Sequence, residues 1–169
     1  MPNLNLTSSI AGKIRPFRPS DAAAISDILD GSSGAAQWPP ESYAKLASSA
    51  GGLLLVCEGH SKSIGFLAAR QVANEAEILN IAVSLDSRRR GVGSALLRAA
   101  IGNFQRSSIA RVFLELRESN LPARTLYERH GFVACGRRKC YYANPSEDAL
   151  CMVKELTEVS RTKLQNVPY

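Results

Sequence analysis

The chain changes its hydrophobic rhythm several times, and each change marks an element. In "LLLVCEGHSKSIGFLAARQV" two apolar runs flank the polar turn "EGHSKS", and "EAEILNIAVS" alternates apolar with polar residues after a turn around Asn74. Residues 53–84 are therefore predicted to form three strands of an antiparallel meander. From Gly91 the period lengthens: Val92, Ala95, Leu96, Ala99 and Ala100 recur at helical spacing and predict a helix ending near "FQRSS". "ARVFLEL" returns to strand, "LPARTLYERH" between Asn120 and Gly131 to helix, and "FVACGRRKCYYA" and "ALCMVKEL" read as two closing strands. Upstream, "KIRPFRPSD" predicts a short strand that stops at Pro19, and Ser20 or Asp21 is positioned to cap a brief helix, "AAAISDILD", up to Gly31. The loop "GSSGAAQWPPES" precedes a second helix, "ESYAKLASS", opened by Pro39 and Pro40. Residues 1–11 and 158–169 are polar and expected to fray.

Composition narrows this picture. With 169 residues, 45% of them hydrophobic, the chain is expected to be one domain over 1–169 with its core at about 12–157. An excess of 21 Lys+Arg over 15 Asp+Glu, +6 in all, favours acidic ligands or partners. Cys57, Cys135, Cys140 and Cys151 have no CxxC spacing and only His60 and His130 accompany them, so neither a metal site nor a disulfide framework is expected, and the thiols fit a reducing cytoplasm. No apolar leader pattern or membrane-length apolar run is seen, which argues against export or a membrane span.

The chemistry concentrates in "SLDSRRRGVGSALLRAA", where three arginines meet a glycine-x-glycine turn that opens a helix. A helix N-terminus carries unpartnered N–H groups and partial positive charge, so a glycine turn there lets a pyrophosphate rest on the main chain, with arginines adding charge-assisted bonds. The same residues also suit a plain tight turn beside a solvated charge run, because a lone GxG is a weak signal. A dinucleotide site has Glu115 in its favour, near where a ribose-binding acid belongs. Against it, Leu96 replaces the third glycine of GxGxxG, and the preceding strand ends a meander instead of opening a βαβ unit.

"LNIAV" followed by "RRRGVGSALL" resembles the acetyl-CoA motif of the GCN5-related N-acetyltransferase (GNAT) superfamily, its arginine and two glycines matched by Arg88, Gly91 and Gly93. "LELRESNLPARTLYERHGF" resembles the second half of that family's site, and with "RRKCYYANPSEDALCM" the chain is most similar to the RimI-type branch, which acetylates the N-terminal alanine of a ribosomal protein. The resemblance runs from about Leu53 to Met152. It implies a mixed α/β (α+β) fold: a mostly antiparallel central sheet of about six or seven strands, splayed at the acetyl-CoA site and flanked by about four helices. It implies acetyl-CoA as co-substrate and no metal. The backbone of Ile81, Ala82 and Val83 would face the thioester and pantetheine, and Arg89, Arg90, Gly91, Val92, Gly93 and Ser94 would wrap the pyrophosphate. Arg88 would shape the loop or reach an outer phosphate, and Asn120, by position a helix N-cap, would also contact the coenzyme. The partners implied are acetyl-CoA and a protein N-terminus, without nucleic acid or membrane, for a cytoplasmic monomer or weak dimer. Alternatives are acetylation of a small amine or lysine, a silent acyl-CoA-binding regulator, or, from charge alone, a nucleic-acid-binding module.

Amine acetylation needs a neutral amine, a polarised thioester carbonyl and a stabilised thiolate. At pH 7 about one tenth of α-amino groups are neutral, against about one lysine in 2,500, so an N-terminus asks less of a base. Glu115 is the candidate base: it shares a strand face with Phe113 while Val112, Leu114 and Leu116 take the other, and apolar neighbours would raise its proton affinity. The plainer alternative is a surface acid paired with Arg117. Tyr127, on a helical stripe with Ala123, Leu126 and His130, reads as core; twelve positions after Glu115, it matches the family's acid to the leaving sulfur. The Val83 N–H is the candidate oxyanion donor. Attack is expected to be direct, without an acyl-enzyme. For the peptide side, Trp38, Tyr141 and Tyr142 are the candidate groove residues, and Glu41, Glu147 and Asp148 the candidates to attract a basic peptide. "VSLDS" and "AQWPP" depart from the family's usual Val-Asp-Pro and Phe-Pro-Trp arrangements, which bears on peptide preference more than on the coenzyme.

Overall fold

A computed structural model describes residues 12–32, 34–60 and 62–156, so the two segments expected to fray lie outside the described residues. Among the described residues there are seven strands: β1 (Lys13–Pro16), β2 (Gly52–Glu58), β3 (Ser63–Val72), β4 (Glu75–Val83), β5 (Arg111–Arg117), β6 (Val133–Ala143) and β7 (Ser146–Glu155). The α-helices are α1 (Ala22–Asp30), α2 (Pro40–Ser48), α3 (Val92–Arg106) and α4 (Leu121–Arg129). The strands form one sheet in the order β1-β2-β3-β4-β5-β7-β6, antiparallel at every step except β4–β5. A parallel neighbour requires a crossover, and α3 supplies it.

Both faces of the sheet are covered, each by its own helix pair. Val92, Leu96, Leu97, Ala100 and Phe104 of α3 lie with Tyr127 of α4 against Leu55, Leu67, Ile78, Val112, Leu114 and Leu116. Ile25, Ile28 and Leu29 of α1 and Tyr43 of α2 lie against Leu54, Val56, Phe66, Ala68 and Ala82 on the opposite face. Each fully buried Leu or Phe contributes about 1.5–3 kcal/mol. β4 serves both faces because its register with β3 shifts, Ala68 pairing with Asn80 and Ala69 with Ile78, leaving Leu79 as an extra residue. Before this bulge Ala76 and Ile78 point to the α3 side; after it Asn80 and Ala82 point to the α1–α2 side.

Asp21 does occupy the N-cap position of α1, but its side chain makes no cap bond there. Its carboxylate instead accepts both outer guanidinium nitrogens of Arg15 (2.7 and 2.8 Å), the Arg18 N–H (2.7 Å) and the Ser63 hydroxyl (2.9 Å). The stronger partner, a bidentate arginine, wins over the helix end. No described helix is long and apolar enough to cross a membrane.

Candidate active site

The ladder between β4 and β5 is short. Glu75 to Ile78 pair with Arg111 to Leu114, and beyond that point the two strands part although β4 runs on to Val83 and β5 to Arg117. The Ser84 N–H bonds the Ile64 carbonyl of β3 at 2.9 Å. By strand alternation the N–H and C=O groups of Ile81 and Val83 then face the other edge, where β5 has moved away. Arg88 Nε reaches the Val83 carbonyl from that side at 3.0 Å, leaving the Val83 N–H in the opening.

At the mouth of this opening the chain turns through Leu85–Ser87, a short 3-10 turn, into α3. Arg89 (φ 63°) and Gly91 (φ 80°) both adopt left-handed backbone, a strain at Arg89 and a conformation glycine takes freely at Gly91. A Cβ at Gly91 would meet nothing within 4 Å, so glycine is required there by conformation and the space in front of it is free. The first helical bond is Ala95 N–H to the Gly91 carbonyl, and no side chain caps α3. The backbone N–H groups of residues 89–94 consequently have no partner among the described residues, a run of amides at the positive end of a fifteen-residue helix. Arg88 holds the turn in place: Nη2 donates to the Gly31 carbonyl at 2.7 Å and to Ser32 at 2.9 Å, tying the turn to the C-terminus of α1. Those contacts use the Arg88 donors on the protein itself, so it supports the turn, whereas Arg89 and Arg90 are exposed beside the amides.

Ser94 and Asn120 also have protein partners. The Ser94 hydroxyl contacts His130 Nε2 at 2.8 Å while His130 Nδ1 is 2.8 Å from the Leu126 carbonyl, which fastens the start of α3 to the end of α4. Asn120 caps α4 by accepting the Ala123 N–H at 3.2 Å, and its Nδ2 lies so close to Gly34 that a Cβ there would be 2.8 Å away. The cap thereby meets the α1–α2 loop beside the opening.

Glu115 and Tyr127 are held on opposite faces of the sheet. Val112, Leu114 and Leu116 share the α3–α4 core with Tyr127, so the alternate residue Glu115 projects to the other side, next to where β4 and β5 part. The Tyr127 ring is buried, edge-on to Phe132 at 5.6 Å, and burial pushes its phenol well above the usual tyrosine range. The apolar setting expected for Glu115 is not found. Its carboxylate lies 2.8 Å from Arg138 Nε and 3.9 Å from Cys151 Sγ, and it accepts a hydrogen bond from Tyr141, which pushes that phenol up. The reason is positional: β7 lies beside β5 and β6 beyond it, and they bring Cys151 and Arg138 to the face of Glu115. Arg117 is not its partner either, being paired with Glu147 at 3.2 Å. A groove of about 390 Å³ runs from Glu115, Arg138 and Cys151 along Phe113 to Glu77 and Arg70.

Trp38 is half-buried, 5.4 Å from the Tyr43 ring, and so belongs to the α1–α2 core as well as to its edge. Asn80 was missed by periodicity, yet an amide inside the apolar run "EILNIAV" was a signal. It exchanges hydrogen bonds with both the N–H and C=O of Ala36 (3.3 and 2.8 Å) and donates to the Tyr43 hydroxyl at 2.9 Å, fixing the α1–α2 loop over β4. Burial pushes Tyr43 up to about 12. On the other side Arg117 donates to the carbonyls of Asn144 (2.9 Å) and Pro145 (3.1 Å) and lies over the Tyr142 ring at 4.2 Å, locking the β6–β7 hairpin. Tyr141, half exposed, is edge-on to Tyr142. Glu147 and Asp148 are not free to attract a peptide as expected: Glu147 accepts the Ser119 N–H and Arg117, and Asp148 accepts the Cys140 N–H at 2.9 Å.

A mixed sheet parted beside an uncapped helix and an arginine turn, with an acid and a tyrosine across the opening, has the architecture of an acetyl-CoA-dependent N-acyltransferase. Comparison with known proteins agrees: the profile of the Acetyltransferase (GNAT) family matches residues 22–132, and the chain belongs to that family. It is 32% identical over 146 residues, 86% of this chain and 96% of the relative, to a Bacillus subtilis protein named provisionally as a ribosomal protein bS18-alanine N-acetyltransferase. It is 38% identical over 95 residues, 55% of this chain and 64% of the relative, to the Escherichia coli K12 ribosomal protein bS18-alanine N-acetyltransferase. The crystal structure of the E. coli ribosomal-protein-S18-alanine N-acetyltransferase superposes with a TM-score of 0.79 at 28% identity, covering 90% of this chain and 99% of that one.

Proposed function

We propose that this chain transfers the acetyl group of acetyl-CoA to the α-amino group of a protein N-terminus, with the N-terminal alanine of ribosomal protein bS18 as the substrate suggested by its relatives. The observation that carries this reading is the early end of the β4–β5 ladder, with Glu115 and Tyr127 on opposite faces of the sheet. The free amides of residues 89–94, with Arg89 and Arg90, would hold the pyrophosphate, and the edge of Ile81 to Val83 would line the pantetheine and thioester, with Asn120 beside it. The Val83 N–H would donate to the carbonyl oxygen as charge develops on it.

The amine enters from the Glu115 face as the thioester lies in the opening. Nitrogen attacks the carbonyl carbon, the C–N bond forms, Glu115 receives the amine proton directly or through water, and the C–S bond breaks toward Tyr127. A phenol raised by burial holds its proton more tightly than a thiol near 8.5, so Tyr127 acts on the departing thiolate as a hydrogen-bond donor, and the proton that neutralises the sulfur comes from solvent.

Thiol release from acetyl-CoA against an array of peptides with different N-termini tests the reading. Glu115→Gln is expected to lower kcat/KM by about 10²- to 10⁴-fold, and Tyr127→Phe to lower kcat by about 10- to 100-fold, as one hydrogen bond to a charge is lost. Undiminished turnover in both variants would overturn the assignment, and absence of turnover on every peptide would overturn the protein-substrate reading.

A further inference from the structure

The general base proposed above is engaged by a cation of the protein itself. Arg138 Nε lies 2.8 Å from Glu115 Oε1 and Cys151 Sγ 3.9 Å from the same oxygen. Arg138 shares the face of Glu115 because the register of β6 shifts once between the pairs Ala134–Met152 and Gly136–Cys151, Cys151 being the partner of Glu115; further on, between Arg138–Ala149 and Tyr142–Glu147, three residues of β6 stand opposite Asp148 alone, and Cys140 takes a left-handed φ of 51°. Bulges of this kind redirect side chains toward a site. β6 is an edge strand, and the Arg138 side chain is 60% exposed against 18% for Glu115. An ion pair with one end in water shifts an equilibrium by only about two- to fivefold, so this contact opens readily.

We propose that Arg138 is a displaceable cap whose guanidinium occupies, on Glu115, the position taken by the α-ammonium of the incoming substrate. Substrate recognition is then an exchange of cations. While Arg138 is in place it cancels the pull of the carboxylate on a cationic amine. Once Arg138 swings into water along the exposed edge of β6, that pull is restored and the carboxylate is free to receive the amine proton. Arg138 is thus a specificity-determining residue that acts through Glu115, and the proposal rests on the reading of Glu115 as the base. It was hidden in the sequence, where "GRRK" reads as a charged stretch of edge strand.

The test compares wild type, Arg138→Ala and Arg138→Lys on a peptide with a free N-terminal alanine and on its des-amino analogue, used as a competitive inhibitor. In Arg138→Ala the KM for the free-amine peptide is expected to fall about two- to fivefold with kcat within about twofold of wild type, the range set by a half-exposed ion pair. The inhibition constant of the des-amino analogue is expected to stay unchanged, and Arg138→Lys to restore wild-type behaviour. A higher KM, a lower kcat at unchanged KM, or equal tightening of both ligands would overturn the cap. Wild-type turnover in the same assay separates the two levels: its absence sinks the acetyltransferase reading and the cap with it, whereas turnover indifferent to Arg138 sinks the cap alone.

Discussion

Asp21, 5% exposed, joins β1, β3 and the start of α1 through Arg15, Ser63 and the Arg18 N–H. Arg15 and these hydrogen bonds hold its carboxyl down to about 2, from an ordinary 3.8. A depressed carboxylate stabilises the fold above its unfolded value and loses that contribution as pH falls through the folded one, so about 2 kcal/mol present at pH 5 and above is lost between about pH 4 and pH 2. Asp21→Asn is expected to cost about 2–3 kcal/mol at pH 7, since it leaves a mostly buried Arg15 short of its partner, and to flatten the acid limb. Urea unfolding at pH 7, 4 and 3 measures both. Such residues were unevenly legible. Glu115 stood out by strand alternation and by its spacing from Tyr127, but its setting did not, because Arg138 arrives from a bulge with no sequence period. Glu147 and Asp148 looked like loop charges for the same reason: bonds from a side chain to backbone distant in sequence, the Ser119 turn and β6, leave no pattern in the chain.

The β4–α3 corner is the element on which coenzyme binding is proposed to depend. Its strand, turn and helix were readable from the change of hydrophobic period at Gly91, and its glycines from the motif. What could not be read is the division of labour among the three arginines, since only the fold brings Gly31 and Ser32 to Arg88 and leaves Arg89 and Arg90 facing outward. The two motif glycines also differ. A Cβ at Gly93 would make ordinary contacts, 3.4 Å from Leu126 and 3.8 Å from Val83, whereas Gly91 needs its left-handed φ. Gly91→Ala is therefore expected to cost about 1–2 kcal/mol of stability and, by pushing a methyl into the space before the free amides, to raise the KM for acetyl-CoA about tenfold, the loss of one charge-assisted hydrogen bond. Peptide KM should not change. Steady-state kinetics with each substrate varied in turn checks this, and an unaltered acetyl-CoA KM would exclude the corner as the pyrophosphate site.

Across the whole molecule, the two parts of the sheet, β1 to β4 and β5 to β7, are joined in the sheet plane by only four residue pairs. The antiparallel meander and the helix positions were legible because they are local patterns. The insertion of β7 between β5 and β6 and the point where β4 and β5 separate were not, because both depend on long-range registers. The proposed activity rests on that separation, with amine and leaving sulfur assigned to opposite faces of the sheet. An α-amine is also the acceptor a carboxylate base deprotonates most easily, its ammonium losing a proton near pH 8 against about 10.4 for lysine. The most direct measurement is tandem mass spectrometry of a peptide carrying both a free N-terminal alanine and an internal lysine, incubated with acetyl-CoA and enzyme. Acetyl is expected on the α-nitrogen alone, at a rate that collapses in Glu115→Gln; acetyl on the lysine, or an α-acetylation rate unaffected by Glu115→Gln, would contradict it.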